Sequence, residues 1–227
     1  MLLVNEIFGP TVQGEGKTIG KKVIFLRLAI CNLSCIWCDT PYAWNWKQFD
    51  QKKEIRLMSQ MEILQTILGL GEKALVVSGG EPLLQQRKLI SLFAQFKALG
   101  YWIEIETNGT QVPSKELTDL VDQFNCSPKL ENSGVEEKLR INQEALKQLA
   151  SLSKTTFKFV VSSRKDLEEI TYLVNRFQMK QVYLMPLGKT ADELNKHKAL
   201  VEKICKEKGY HFTTRLHVEL FGGQRAV

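Results

Sequence analysis

The chain has 227 residues, 44% of them hydrophobic and 25% charged, and carries a formal charge of +6. That balance suits one soluble domain with a sizeable core. Basic residues are interspersed with acids, as in Lys52-Lys53-Glu54 and Glu136-Glu137-Lys138. Such patterning reads as a solvated surface, without the clustered, aromatic-laced patch of a nucleic-acid binder. The amino end lacks a basic, apolar leader, and no apolar run is long enough to cross a bilayer, so a cytoplasmic location with no membrane partner is expected.

In chain order, Val23-Ile24-Phe25-Leu26-Arg27-Leu28-Ala29-Ile30 reads as a buried strand, and residues 39–56 read as a long loop or insertion. Ser59 and Glu62 form a capping box that opens a helix striped by Ile63, Leu64, Ile67 and Leu68. Leu75-Val76-Val77 is a second strand. A helix over 86–99 turns Leu89, Leu92, Phe93 and Phe96 inward and ends at Gly100. Further strands are predicted at 101–106, 125–130, 155–161, 181–185 and 212–218, and further helices at 114–124, 141–152, 164–178 and 190–208. Thr190 with Glu193 is read as another capping box, with Gly209 closing that helix. Strands separated by helices imply right-handed crossovers and a mainly parallel α/β sheet, more an open barrel of about six units than a closed one of eight.

Five cysteines are an odd number, which argues against a disulfide framework. Three of them, Cys31, Cys35 and Cys38, are spaced C-x3-C-x2-C just after the first core strand. Three local thiolates can hold three irons of a [4Fe–4S] cluster and leave the fourth open, whereas electron-transfer clusters usually have four cysteine ligands. A closed zinc site completed by a distant Cys126, Cys205, His197, His211 or His217 is the alternative.

In parallel α/β folds ligands bind at the carboxyl ends of the strands. Ser78-Gly79-Gly80-Glu81-Pro82, Thr107-Asn108-Gly109-Thr110 and Ser127-Pro128-Lys129 fall there with the cysteine loop. Glycine pairs admit close approach of a ligand, but they also make ordinary turns. Arg27, in a buried strand, needs either an anionic ligand or a structural ion pair. Thr40 suits an oxygen ligand or a turn cap, and Trp37 suits a ligand wall or the core.

The cysteine motif together with Gly79-Gly80-Glu81-Pro82 resembles the radical S-adenosylmethionine (SAM) superfamily. The stretch Glu6-Ile7-Phe8-Gly9-Pro10-Thr11-Val12-Gln13-Gly14-Glu15-Gly16, followed by Arg27 and Cys38-Asp39-Thr40, is similar to its 7-carboxy-7-deazaguanine synthase family. This likeness runs from about residue 5 through Ser127-Pro128-Lys129 and weakens toward the carboxyl end. It implies an open partial (β/α)6-type barrel with an N-terminal extension, in one domain over 1–227.

The implied enzyme is a lyase of queuosine biosynthesis. It contracts 6-carboxy-5,6,7,8-tetrahydropterin to 7-carboxy-7-deazaguanine with loss of ammonia. The implied cofactors are a [4Fe–4S] cluster on Cys31, Cys35 and Cys38, SAM, and Mg2+ on Thr40. SAM would contact Trp37, Cys38, Asp39, Gly80, Ser127, Pro128 and Lys129, with Glu81 helping to orient its methionyl end. The substrate would contact Val12, Gln13, Gly14, Arg27, Ser78 and the carboxylate of Val227, with Glu15 a further candidate. An external one-electron reductant such as flavodoxin and a homodimer are also expected. A glycyl-radical activase and a non-catalytic, zinc-stabilised binding module are the competing readings. The chain lacks the eight-cysteine extension of activases that carry extra clusters.

Overall fold

Period-two alternation organises the molecule. In the computed structural model, which describes residues 1–222 and 224–226, the strands are β1 (Leu2–Val12), β2 (Lys22–Leu28), β3 (Arg56–Met58), β4 (Ala74–Gly79), β5 (Trp102–Thr107), β6 (Gln123–Cys126), β7 (Thr155–Val161), β8 (Val182–Pro186) and β9 (His211–Phe212). They form one sheet in the order β3-β1-β2-β4-β5-β6-β7-β8-β9. From β2 through β9 every neighbouring pair is parallel, while β1 pairs antiparallel with both β2 and β3. Six parallel strands, β2 and β4–β8, thus make the open partial barrel, with short β9 at one end and the antiparallel extension at the other.

The helices are α1 (Gln51–Glu54), α2 (Gln60–Gly69), α3 (Gln86–Ala98), α4 (Lys115–Leu120), α5 (Glu137–Arg140), α6 (Gln143–Ser151), α7 (Asp166–Phe177), α8 (Ala191–Lys208) and α9 (Leu216–Phe221). They bury their apolar stripes on the outer face of the sheet, where Ile24, Leu26, Leu75, Val77, Ile103, Ile105 and Phe159 join Phe93 and Phe96 in one core. Val23, Phe25 and Val76 form a smaller cluster on the inner face. Farther along, the inner positions turn polar: Arg27 lies beside Ser78, Glu104 beside Gln123, Glu106 beside Asn125, and Asn125 beside Thr156. None of the helices of the described residues is long and apolar enough to cross a membrane.

Several expected boundaries move. The predicted helix over 114–124 ends at Leu120, and its strand starts at Gln123, because Leu117, Leu120, Val121 and Phe124 continue a helical period past the true end. The strand expected at 212–218 is two residues long and gives way to α9. Residues 39–56 hold α1 and, at their end, the start of β3, an edge strand paired to β1. Strand β1 itself escaped the periodic reading. Its register shifts between Val4 and Glu6 and again between Phe8 and Thr11, across Gly9-Pro10, which breaks the alternation. Ser59 and Glu62 form the full capping box, whereas at α8 the Thr190 hydroxyl caps Glu193 N–H and the Glu193 carboxylate accepts from Lys189 N–H.

Candidate active site

The first core strand stops at Leu28, and Ile30 then adopts a left-handed φ of 70°, which is costly for a β-branched residue. Hydrogen bonds hold it there: Ile30 N–H donates to Ala43 O at 2.7 Å, and Glu81 N–H donates to Ile30 O at 2.9 Å. The chain is thereby turned into the cysteine loop. A side chain on Gly80 would run into Ile30 O and Cys31 Cβ, so that glycine is required by the loop's own backbone before any ligand is considered.

Cys31, Cys35 and Cys38 surround an apolar patch made with Leu33 and Val135. Their sulfurs do not all converge within 4.8 Å of one another. A tetrahedral zinc with Zn–S near 2.3 Å needs sulfurs roughly 3.8 Å apart. Three thiols on one short loop, opening on a shared cavity, are the soft donor set an iron–sulfur cluster takes. Donors already face the sulfurs: Leu33 N–H at 3.4 Å from Cys31 Sγ and Trp44 Nε1–H at 3.2 Å from Cys38 Sγ. Burial pushes the Cys31 thiol up to about 12 and raises Cys35 as well, so metal binding must displace these protons. Cys126 and Cys205 are packed thiols elsewhere, and both are buried.

Beside the loop opens a cavity of about 360 Å³. Val12, Gln13, Gly14, Glu15, Arg27, Cys31, Cys35, Trp37, Cys38, Asp39, Thr40, Ser78, Gly80, Ser127 and Lys129 all line it. Pro128 is buried and is not part of the lining, and Val227 lies outside the described residues. Glu81 also stands back from the cavity. Its carboxylate is fully buried and accepts from Leu83 N–H, Thr107 Oγ1–H and Asn108 N–H, so it ties the β4 and β5 loops together. Any help it gives in orienting a ligand, as the resemblance implies, would act through those loops.

Arg27 stands on the inner face of β2. Its Nε donates to Glu6 Oε1 at 2.7 Å, and its two Nη groups have no hydrogen-bond partner among the described residues. Glu6 is shared, since its other oxygen accepts from Arg225 Nε at 2.9 Å. Arg225 also pairs with Glu54 and stacks on Tyr42 at 3.7 Å, which draws Gln224 and Ala226 to the cavity rim.

Gln13 lines the cavity, but its side chain is committed inside the protein. Its Nε2 donates to Glu104 and Glu106, and its Oε1 accepts from Glu15 N–H. Trp37 likewise spends its indole N–H on Asn132 O, and the Lys129 ammonium lies 5.3 Å from its ring centroid. At the Cys38 end, Thr40 Oγ1 lies 3.7 Å from Cys38 Sγ.

The cavity is also lined by Glu106, Asn125, Lys158 and Arg215, which the sequence reading passed over, and by His217, named there only as a possible zinc ligand; Glu104 is fully buried behind them. Glu106 accepts from Ser78 Oγ–H at 2.6 Å. Glu104 accepts from Gln13, Asn125 and Thr18, and burial together with the nearby Glu106 pushes its carboxyl up to about 7. Glu15 pairs with Lys158 and Arg215, and Arg215 also reaches Asp39 at 3.0 Å. Burial opposes ionisation of Glu15, but Lys158, Arg215 and His217 outweigh it and hold the carboxyl well below the usual range. The missed signal was present. Glu104 and Glu106 alternate with Ile103 and Ile105, and Lys158 sits between Phe157 and Phe159. Charges at period two within apolar strands mark an inner, functional face.

The chain matches a model of the radical SAM superfamily over residues 27–129. It is 37% identical to a 7-carboxy-7-deazaguanine synthase of Pyrobaculum aerophilum, over 98% of this chain and 96% of the relative. The same-named protein of Bacillus subtilis is 30% identical over 99% of this chain and 98% of its own length. The crystal structure of QueE from Escherichia coli superposes with a TM-score of 0.74 at 25% identity, covering 95% of this chain and 94% of that one. With full-length identity at this level, the radical SAM match and a shared fold, the chain belongs to the 7-carboxy-7-deazaguanine synthase family.

Proposed function

We propose that the chain catalyses ring contraction of 6-carboxy-5,6,7,8-tetrahydropterin to 7-carboxy-7-deazaguanine with loss of ammonia, in queuosine biosynthesis. The observation that carries this reading is one cavity lined by both the three-cysteine loop and Arg27. Cys31, Cys35 and Cys38 would hold a [4Fe–4S] cluster. SAM would lie against Trp37, Asp39, Gly80, Ser127 and Lys129, with Pro128 behind them. When bound, these groups supply one-electron reductive cleavage of SAM.

The chain's own residues bind and orient. With Nε fixed by Glu6, the Arg27 guanidinium presents its two Nη groups as a fork to a substrate carboxylate. Ser78 and Gln13 hold Glu106, which is placed to accept from the N–H edge of an aminopyrimidinone ring. Gln13 thus acts through Glu106, while Val12 and Gly14 contribute wall. Gly14 must be glycine because His217 lies directly against it, where any Cβ would collide.

Thr40 suits Mg2+ as a hydroxyl oxygen that lines the cavity 3.7 Å from Cys38 Sγ, next in the chain to the Asp39 carboxylate. An external one-electron donor such as flavodoxin, a homodimer and a cytoplasmic setting complete the reading.

The experiment is an anaerobic assay of the iron-loaded protein with SAM, dithionite, magnesium and the free carboxypterin. The deazaguanine product supports the proposal. SAM turnover only in the presence of a protein substrate would favour an activase. Stoichiometric zinc without iron after reconstitution would favour a binding module.

A further inference from the structure

Trp44 belongs to the segment expected only to be a loop or insertion, and nothing in the proposed chemistry uses it. It follows the 3-10 turn Pro41–Ala43, and its N–H donates to Pro41 O at 3.1 Å. Just before it, Ala43 O accepts from Ile30 N–H at 2.7 Å, and just after it, Trp46 N–H donates to Trp44 O at 3.1 Å. The tryptophan backbone is thus fastened to the residue that precedes Cys31. Its ring lines the cavity, and its Nε1–H points at Cys38 Sγ from 3.2 Å.

Trp37, the other indole beside the cysteines, makes no such contact, because its N–H is spent on Asn132. Cys31 has a backbone donor from Leu33 at 3.4 Å. Trp44 is therefore the one side-chain N–H donor within 3.5 Å of a loop sulfur among the described residues.

We infer that the Trp44 indole N–H sets the reduction potential of the cluster held by Cys31, Cys35 and Cys38, by hydrogen-bonding the Cys38 thiolate. The inference rests on the reading that these cysteines carry a [4Fe–4S] cluster. Reduction adds one electron to the cluster and spreads negative charge onto its sulfurs. A fixed N–H dipole aimed at one sulfur stabilises that charge, so it raises the potential. Trp44 is a positioning residue in this scheme and touches a ligand sulfur, not the substrate.

The test is an EPR-monitored redox titration of the iron-loaded holoenzyme without SAM, comparing the parent with Trp44→Phe and Trp37→Phe. Phenylalanine keeps the aromatic packing and removes the N–H. At a fixed potential, the ratio of reduced to oxidised cluster in Trp44→Phe should be about tenfold lower, a fall of ~59 mV in a one-electron couple. Trp37→Phe should leave the midpoint unchanged. An unshifted midpoint in Trp44→Phe with parental iron content overturns the inference, and so does an equal shift in both variants. If Trp44→Phe fails to load iron, pulsed EPR of the Trp37→Phe protein labelled with 15N-indole tryptophan replaces it. A 15N coupling to the reduced cluster supports the bond, and its absence overturns it. A parent with no [4Fe–4S] signal overturns the functional reading beneath, and this inference with it.

Discussion

The two faces of the sheet are made by the same strands and do opposite work. On the outer face, Ile24, Leu26, Val77, Ile103 and Ile105 are fully buried against the helices. One residue along in each strand, the inner face carries Phe25, Val76 and then Arg27, Ser78, Glu104, Glu106 and Lys158. The outer side chains gain stability by leaving water, at roughly 25 cal/mol per Å² of apolar area. The inner polar groups give up hydration and recover it only through partners, which is why Glu104, Gln13, Asn125 and Thr18 bond to one another. A strand in this molecule is therefore a fold element read on even positions and a binding element read on odd ones, or the reverse.

That division breaks first at the cysteine loop. Cys35→Ala should abolish iron retention at three-ligand stoichiometry and all turnover, with Cys31→Ala and Cys38→Ala alike. Cys126→Ala and Cys205→Ala should keep the cluster, since both thiols are packed away from the loop. Iron and sulfide analysis beside turnover decides it, and a normal cluster in Cys35→Ala removes the site.

Ile103→Ala tests the outer face alone. It empties a fully buried position and should cost about 2–5 kcal/mol of stability. Turnover per folded, iron-loaded molecule should stay near parental. Denaturant unfolding with activity normalised to iron content measures both.

Glu104→Gln tests the inner face from the opposite direction. The folded Glu104 carboxyl titrates near 7 rather than at its ordinary 4.5. Between those values the folded state binds more protons than the unfolded one, so stability falls as pH rises from 4.5 to 7, and the cost is complete above 7. Glutamine removes this titration while its oxygen still accepts from Gln13 and Asn125. The variant should gain on the parent across that window, on the order of 1–3 kcal/mol by pH 8. Parallel Tm curves for variant and parent from pH 4.5 to 8 would show that Glu104 carries no such burden.

Arg27→Ala should leave iron content intact and weaken carboxypterin binding by roughly 1.5–3 kcal/mol, the worth of a well-made charge-assisted contact. In KM that is about ten- to hundredfold, with SAM cleavage retained at a slow basal rate. Unchanged pterin affinity would make Arg27 a structural partner of Glu6 and nothing more. The smallest effect is expected for Thr40→Val. It keeps a branched shape but loses the hydroxyl, so turnover should fall and respond less to magnesium in metal-depleted buffer. Superimposable magnesium curves for variant and parent would exclude Thr40 as a ligand.

The parallel part of the fold was legible because its strands are apolar runs and its helices announce their ends, as Ser59, Thr190 and Gly209 do. The antiparallel extension was not. Two register shifts and Gly9-Pro10 spoil the alternation of β1, and β3 is only three residues long. The cysteine loop, Arg27 and the glycine pair could be found because each is a local pattern. The Glu15–Lys158–Arg215–Asp39 network could not, since its members come from distant segments, joined only by the curvature of the open sheet and the return of the chain between β9 and α9. Glu81 shows the limit of a motif. Its neighbour Gly80 lines the cavity, while the Glu81 carboxylate is turned inward to brace two loops.

The most direct measurement is product analysis of the iron-loaded protein incubated anaerobically with SAM, reductant, magnesium and 6-carboxy-5,6,7,8-tetrahydropterin. The expected result is 7-carboxy-7-deazaguanine and ammonia formed in equal amounts over many turnovers, and lost in Arg27→Ala at low substrate. SAM cleavage that proceeds while the pterin is recovered unchanged would contradict the assignment of the inner face as its binding site.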